Sequence, residues 1–336
     1  MGSTDSATPW RARDPCAAIV LVASMVTAAQ EPLALVRSIE LPGVEGRIDH
    51  LSFDAAHERL FVAALGNGSV EVVNIASGTR ERSLVGFHEP QGLQVVPEQE
   101  AIAVANGASG DLQIIDGASL QVAKTITLSP DADNVRYDRA SNRLYVGHGS
   151  GALSVIDTVA WKVLGKIPLS GHPESFQLET AGTRAFVNVP DAGHIAVLDR
   201  TAMRVLTTWP VTAAKANYPM ALDEAGHRLF IGCRRPAKLL VYNTSTGRQV
   251  DSVDISGDTD DLFYDANRKR VYVSCGEGFL DVLALDDGRL TRTAHIATAA
   301  GARTSLFVGQ QNRLFLAVPH RGVQKAEIRV YATPIV

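Results

Sequence analysis

The chain has 336 residues, 46% hydrophobic but only 6% aromatic, with 32 basic against 36 acidic side chains and a net charge of −4. Its basic residues are scattered rather than clustered, so it lacks the electrostatic footprint of a nucleic-acid binder and the basic patch of a membrane-surface protein. Length alone suggests about two domains, but internal repeats overrule that expectation.

At the N-terminus, Arg11 and Arg13 precede an uncharged run from Cys16 to Ala29. The run falls short of the ~20 apolar residues that span a bilayer. The small residues Thr27 and Ala29 before Gln30 suit a cleavage site. We read residues 1–29 as a secretory signal peptide, although Asp5 and Asp14 are atypical of one. Residues 30–336 then form a single periplasmic or secreted domain, with no integral membrane segment in the mature chain.

From Arg59 onward one signature recurs: RLFV at Arg59, RLYV at Arg143, RAFV at Arg184, RLFI at Arg228, RVYV at Arg270 and RLFL at Arg313. A degenerate copy, AIAV at Ala101, fills the double gap between Arg59 and Arg143. The last five copies are 41 to 44 residues apart, within the ~40–50 residues of a propeller blade. Each repeat reads as four short strands. In the third they are Asn134–Asp138 (a), Leu144–Gly147 (b), Ala152–Asp157 (c) and Lys162–Leu169 (d), separated by Gly, Asn, Asp and Ser turns. The last repeat ends after strand c. The segment Leu33–Leu41 matches strand d and is expected to complete the final blade. The fold expected is all-β: a seven-bladed propeller of four-stranded antiparallel blades, closed by an N-terminal strand.

The stretches LYVGHGSGALSVIDT and RVYVSCGEGFLDVLALDDG resemble the YVTN-type β-propeller repeat. The Thr-Asn pair of that motif is replaced here by Gly147-His148, Asn188-Val189 and Ser274-Cys275. The resemblance covers nearly the whole chain after Leu33. It implies a secreted or periplasmic propeller and no particular chemistry. Cys233 and Cys275 occupy one register of neighbouring repeats. Adjacent sheets fan apart and a disulfide needs Cα atoms within ~7 Å, so buried free thiols are expected, with pairing in an oxidising compartment as the alternative.

The two faces of the disc differ in their loops. The a–b turns (DAAHER, DRASNR, DEAGHR, DANRKR) and c–d turns (IASGTR, NTSTGR, LDDGR) are plain turn chemistry. The d–a segments are EGRIDH, FHEPQG, SPDADN, SGHPES, KANYPM, SGDTDD and AGARTS, without consensus but dense in functional groups. Aligned where strand a begins, they give a first ring of Asp49, Gln91, Asp133, Glu174, Tyr218, Asp260 and Arg303. The next position holds His50, Gly92, Asn134, Ser175, Pro219, Asp261 and Thr304. Strand a lines the central channel, so both sets should ring its mouth. Ionisable residues concentrated in one cleft are a functional signal; the structural alternative is that they satisfy one another around a wet channel.

Three readings follow. In the first, the mouth binds a small anionic molecule or a protein or peptide partner, held by Arg47, His88, Gln91, Asn217, Arg303, His320 and Arg321. In the second, the protein is a metal-assisted hydrolase or lyase. There, Asp49, His50, Asp133, Asn134, Asp260 and Asp261 are metal ligands, and His50, His172, Glu174 and Tyr218 move protons. Oxygen ligands favour Ca²⁺ or Mg²⁺ and the histidines favour Zn²⁺. This arrangement is similar to that of gluconolactonases and paraoxonases, although those propellers have six blades and no local motif carries over. In the third, the ring is a scaffold. The sequence contains no G-x-S-x-G elbow, phosphate loop or dinucleotide fingerprint.

Overall fold

In the computed structural model the described residues are 1–5 and 31–334. The expected signal peptide falls almost wholly on residues outside them. Glu31–Val336 forms one compact unit. It contains seven four-stranded antiparallel sheets, each pairing its strands in the order a, b, c, d. In the third blade the strands are Ala132–Asp138, Arg143–His148, Ala152–Asp157 and Lys162–Pro168, within two residues of the expected limits.

Strands b and c are buried on both faces, because each sheet packs against two neighbours. Leu144, Val146, Leu153 and Val155 are all inaccessible to solvent. The apolar clusters therefore run between blades: one joins Ala103, Leu112 and Ile114 of the second blade to Val135, Leu144 and Val146 of the third. Strand d is the outer edge and is largely exposed, which permits sequences such as Thr79–Val85.

The ring closes as expected. Ala34–Glu40 pairs antiparallel with Glu327–Ala332, which also pairs with Arg313–Val318. Ile39 and Leu41 are buried with Phe315, Ile328 and Val330 of the seventh blade and Leu51, Leu60 and Val62 of the first.

The repeated arginine that opens strand b has a structural role. Arg59 donates to the carbonyl of Gly117 at 3.3 Å and Arg184 to that of Thr244 at 2.7 Å, so each ties its blade to a turn of the next. The residue before strand b takes a left-handed conformation in Glu58, Asn142, His227, Lys269 and Asn312, each before the repeated arginine, and in Glu100 before Ala101, which closes the a–b turn tightly. Cys233 and Cys275 are buried and unbridged. Burial holds both thiols well above their ordinary pKa, Cys233 up to about 12.

Candidate functional site

The d–a segments and b–c loops meet on one face and staple the blades together there. Gly107 donates to Glu89 O at 2.8 Å, and Asp131 of the next blade donates to Gly107 O at 2.7 Å. Where strand a begins, a β-bulge recurs. Ala132 lies opposite His148 but Val135 lies opposite Val146, so one extra residue is accommodated at Asp133-Asn134. The same irregularity lies between Pro90 and Leu93, Asn217 and Met220, and Thr259 and Asp261. A bulge re-aims side chains that strict alternation would send to opposite faces. Two successive positions, Asp133-Asn134 for example, can thus both border the channel mouth.

There Arg47, Asp49, His50, Asp133, Asn134, Glu174, Ser175, Tyr218 and Asp260 enclose a cavity of about 20 Å³. That is room for one water or one ion. Arg47 pairs with Asp49 at 2.5 Å. The His50 Nε2 is 3.8 Å from Asp49 and from Asp133, and its Nδ1 is 3.4 Å from Asp261. Burial opposes a charge on His50, but Asp261, Asp49 and Asp133 outweigh it and lift the imidazole to about 10. His50 is thus a built-in cation at neutral pH. Burial, with Asp49 and Asp260 nearby, raises Asp133 to about 7 against the pull of His50 and Arg47. Glu174 rises to about 9, through burial first and then Asp133 and Asp260. Arg47 is raised too, its desolvation being outweighed by Asp49, Asp260, Asp133 and Glu174.

Opposite them, Asp260 sits between two guanidiniums, Arg234 at 2.6 Å and Arg303 at 2.9 Å. Arg303 also pairs with Asp258 at 2.9 Å, and Arg234 lies over the Tyr218 ring, 4.0 Å from its centroid. Arg47 and Arg303, two of the three arginines expected to grip an anion at the mouth, are therefore occupied by carboxylates of the protein.

Other expected contributors lie elsewhere. His88 is exposed. Gln91 donates to Asp131 at 3.3 Å. Asn217 is inaccessible and donates to Asn188 at 2.9 Å, inside the sheet packing. His320 pairs with Glu45 at 2.6 Å, and Arg321 is exposed with its guanidinium packed over Gly301, away from the cavity walls. Asp131 and Asp258 escaped the sequence reading. Both stand two residues before the first ring in a left-handed conformation, a position also taken by Glu89 and Ala216. That recurrence was the available signal.

One group of side chains could hold a metal. Single ligand atoms of Asp133, His172 and Glu174 all lie within 4.8 Å of one another. The His172 Nε2 is 3.9 Å from Glu174, and its Nδ1 is 3.4 Å from Asp131 without hydrogen-bond geometry. Asp133 Oδ1, Asn134 Oδ1 and His172 Nδ1 are buried without a hydrogen-bond partner. Buried polar atoms are nearly always satisfied, so these orphaned atoms call for an ion or a water. The donor set fits a divalent cation.

A wider groove of about 440 Å³ lies at the seam of the seventh and first blades, bordered by Arg37, Glu58, Ile75 and Arg313. Arg37 spans it with a hydrogen bond to the Ile75 carbonyl at 3.2 Å. Its ionisable groups Arg37, Glu58 and Arg313 form no ion pair with one another among the described residues, so the smaller channel mouth is the better candidate.

No protein-family model matches the chain. It is 24% identical over 240 residues to the "Uncharacterized protein YncE" of Salmonella typhimurium strain LT2, covering 66% of this chain and 67% of that protein. The protein of the same name from Salmonella typhi matches equally. Among solved structures, a chain of a mitotic checkpoint complex superposes with a TM-score of 0.75 at 16% identity, over 99% of each chain. A chain of Kuenenia stuttgartiensis hydrazine synthase gives 0.72 at 15% identity, over 82% of this chain and 94% of that one. At such identities the likeness is one of fold: this chain is a seven-bladed β-propeller.

Proposed function

We propose that this chain is a binding propeller of the YVTN-repeat type that works in the periplasm or outside the cell. It takes a small ligand or a partner's side chain at the polar mouth of its channel, through a divalent metal held by Asp133, His172 and Glu174. The observation that carries the reading is that ligand atoms of Asp133, His172 and Glu174 lie within 4.8 Å of one another, beside buried Asp133 and Asn134 oxygens that have no hydrogen-bond partner. An imidazole among carboxylates suits Zn²⁺ or another transition ion better than Ca²⁺, which prefers an all-oxygen shell. His50, Arg234 and Arg303 fit a supporting role: they balance the remaining carboxylates and hold them in place.

The named structural neighbours include both a multiprotein assembly and an enzyme, so they favour neither binding nor catalysis. A hydrolase or lyase, lactonase-like in arrangement, is the second reading. It is supported by Tyr218, whose ring is fixed under Arg234 at the edge of the cavity and so brings a phenol next to the donor set.

Elemental analysis of the purified protein by plasma mass spectrometry, before and after chelation and readdition of Zn²⁺, tests the metal. We expect close to one ion per chain in the wild type and at least a ten-fold loss of occupancy in Asp133→Asn and His172→Ala. Absence of metal after Zn²⁺ addition, or equal occupancy in folded variants, would overturn this reading. Turnover of lactone esters lost in the same variants would select the enzyme over the binding protein.

A further inference from the structure

Deeper in the channel, on the other side of His50, lies a second cavity of about 260 Å³. Its wall includes Ser52, Gln94, Arg136, Gln177, Phe263 and Leu306. Each stands two residues beyond the second ring position, where strand alternation returns a side chain to the channel. Among these six, Arg136 supplies the charge.

Its guanidinium is unlike those at the mouth. Arg47, Arg234 and Arg303 are each paired with a carboxylate. Arg136 forms no ion pair among the described residues. Its Nη1 donates to the Val135 carbonyl at 2.8 Å and its Nη2 reaches the Ser175 hydroxyl at 3.4 Å. A guanidinium has five N–H donors in a fixed fork, so most of this one remains unused. Its face packs 5.6 Å from the Phe176 centroid, which holds the side chain in place. Asp261, the acidic residue of the cavity wall, faces His50 at 3.4 Å and accepts from the Ser305 amide at 2.9 Å.

The rest of the wall sets the ligand class. Gln94 and Gln177 each donate one N–H to a backbone carbonyl, at 2.9 and 2.8 Å, which orients their amides. Phe263 and Leu306 are apolar. The volume lies below the ~300–1,000 Å³ of pockets for larger ligands. A planar carboxylate matches the fork of an arginine bidentately. An inorganic oxyanion would be stripped of water against Phe263 and Leu306 with Arg136 as its main partner, because His50 on the same wall already faces Asp261. We propose that this cavity binds a small organic carboxylate with a short apolar body, its carboxylate on Arg136 and its body against Phe263 and Leu306. The inference rests on the binding reading above but not on the metal.

Calorimetric titration of the chelated full-length protein with butyrate, with butyramide and inorganic phosphate as controls, tests it. Butyrate is expected to bind at least ten-fold more tightly than either control, and Arg136→Gln to weaken it at least ten-fold. Gln177→Glu, which places a competing carboxylate beside an intact Arg136, is expected to abolish binding and decides the matter if Arg136→Gln does not fold. Equal butyrate binding in a folded variant, phosphate binding as tightly as butyrate, or no butyrate binding to the wild type would overturn the proposal. Zinc occupancy measured on the same preparations after readdition of Zn²⁺ tells its failure apart from failure of the metal site.

Discussion

His148 shows how single residues on the loop face divide between structure and chemistry. It is inaccessible, with Nδ1 2.6 Å from the Ser150 hydroxyl and Nε2 3.1 Å from that of Ser154. Burial, then the nearby Lys166 and His172, depress it to about 4. In the unfolded chain its pKa is about 6.5. Between those values the unfolded state binds a proton that the folded state refuses, so stability is full above about pH 6.5 and falls as pH drops toward 4. The difference is worth about 2–3 kcal/mol. Urea denaturation at pH 7.5 and 4.5 should show that His148→Gln loses much of the acid sensitivity of the wild type; an unchanged difference between the two pH values would refute this. His148 thus belongs to the packing, whereas His172 in the next blade lies among candidate metal ligands, within 4.8 Å of Asp133 and Glu174. Both histidines look alike in the sequence; only their neighbours separate them.

Among the elements, the closing strand carries consequence out of proportion to its length. Ile39 and Leu41 are 2% and 1% exposed, and each such burial is worth ~1.5–3 kcal/mol. Removing residues 33–41 would also leave Glu327–Ala332 as an unpaired edge, which invites association. Deletion of this segment should therefore lower the thermal midpoint sharply and produce oligomers on size exclusion. A monomer that melts like the wild type would contradict closure by this strand. Ile39→Asp should give a milder form of the same defect, through an unpaired charge in the seam. The strand was legible because its pattern matched strand d while the last repeat lacked one. The bulges in strand a were not legible, since a bulge leaves no residue signature when Asp-Asn, Gln-Gly and Tyr-Pro all occupy it. Reading two successive positions as one ring captured their effect without their cause.

For the whole molecule, the ring has a plain face of turns and a face where seven dissimilar loops converge. Since the apolar clusters run between blades, the mouth is supported from outside, and its charges need only balance one another. They do so around Asp49, His50 and Asp260, which is why most of the expected anion-binding arginines have partners. The proposed extracytoplasmic location is a property of the whole chain. Expressed with its N-terminus intact in a Gram-negative host, the protein should appear in the periplasmic fraction with a mass that begins at Gln30. A cytoplasmic product retaining residues 1–29 would refute it.

The sequence by itself determined the number of blades, the strand order, the closing segment and the face where the d–a segments meet. All of these follow from periodicity and turn chemistry, which are local and repeat seven times. Only the tertiary structure decided which groups meet. Asp133, His172 and Glu174 come together, whereas His320 and Arg321 lie at the rim and Asn217 is buried in the sheets. Arg136 escaped notice because it lies in the middle of a strand whose alternation gives no reason to single it out. Pairing across a channel depends on distances between residues some forty positions apart, and on which charge each neighbour has already neutralised. Those quantities exist only once the ring is closed.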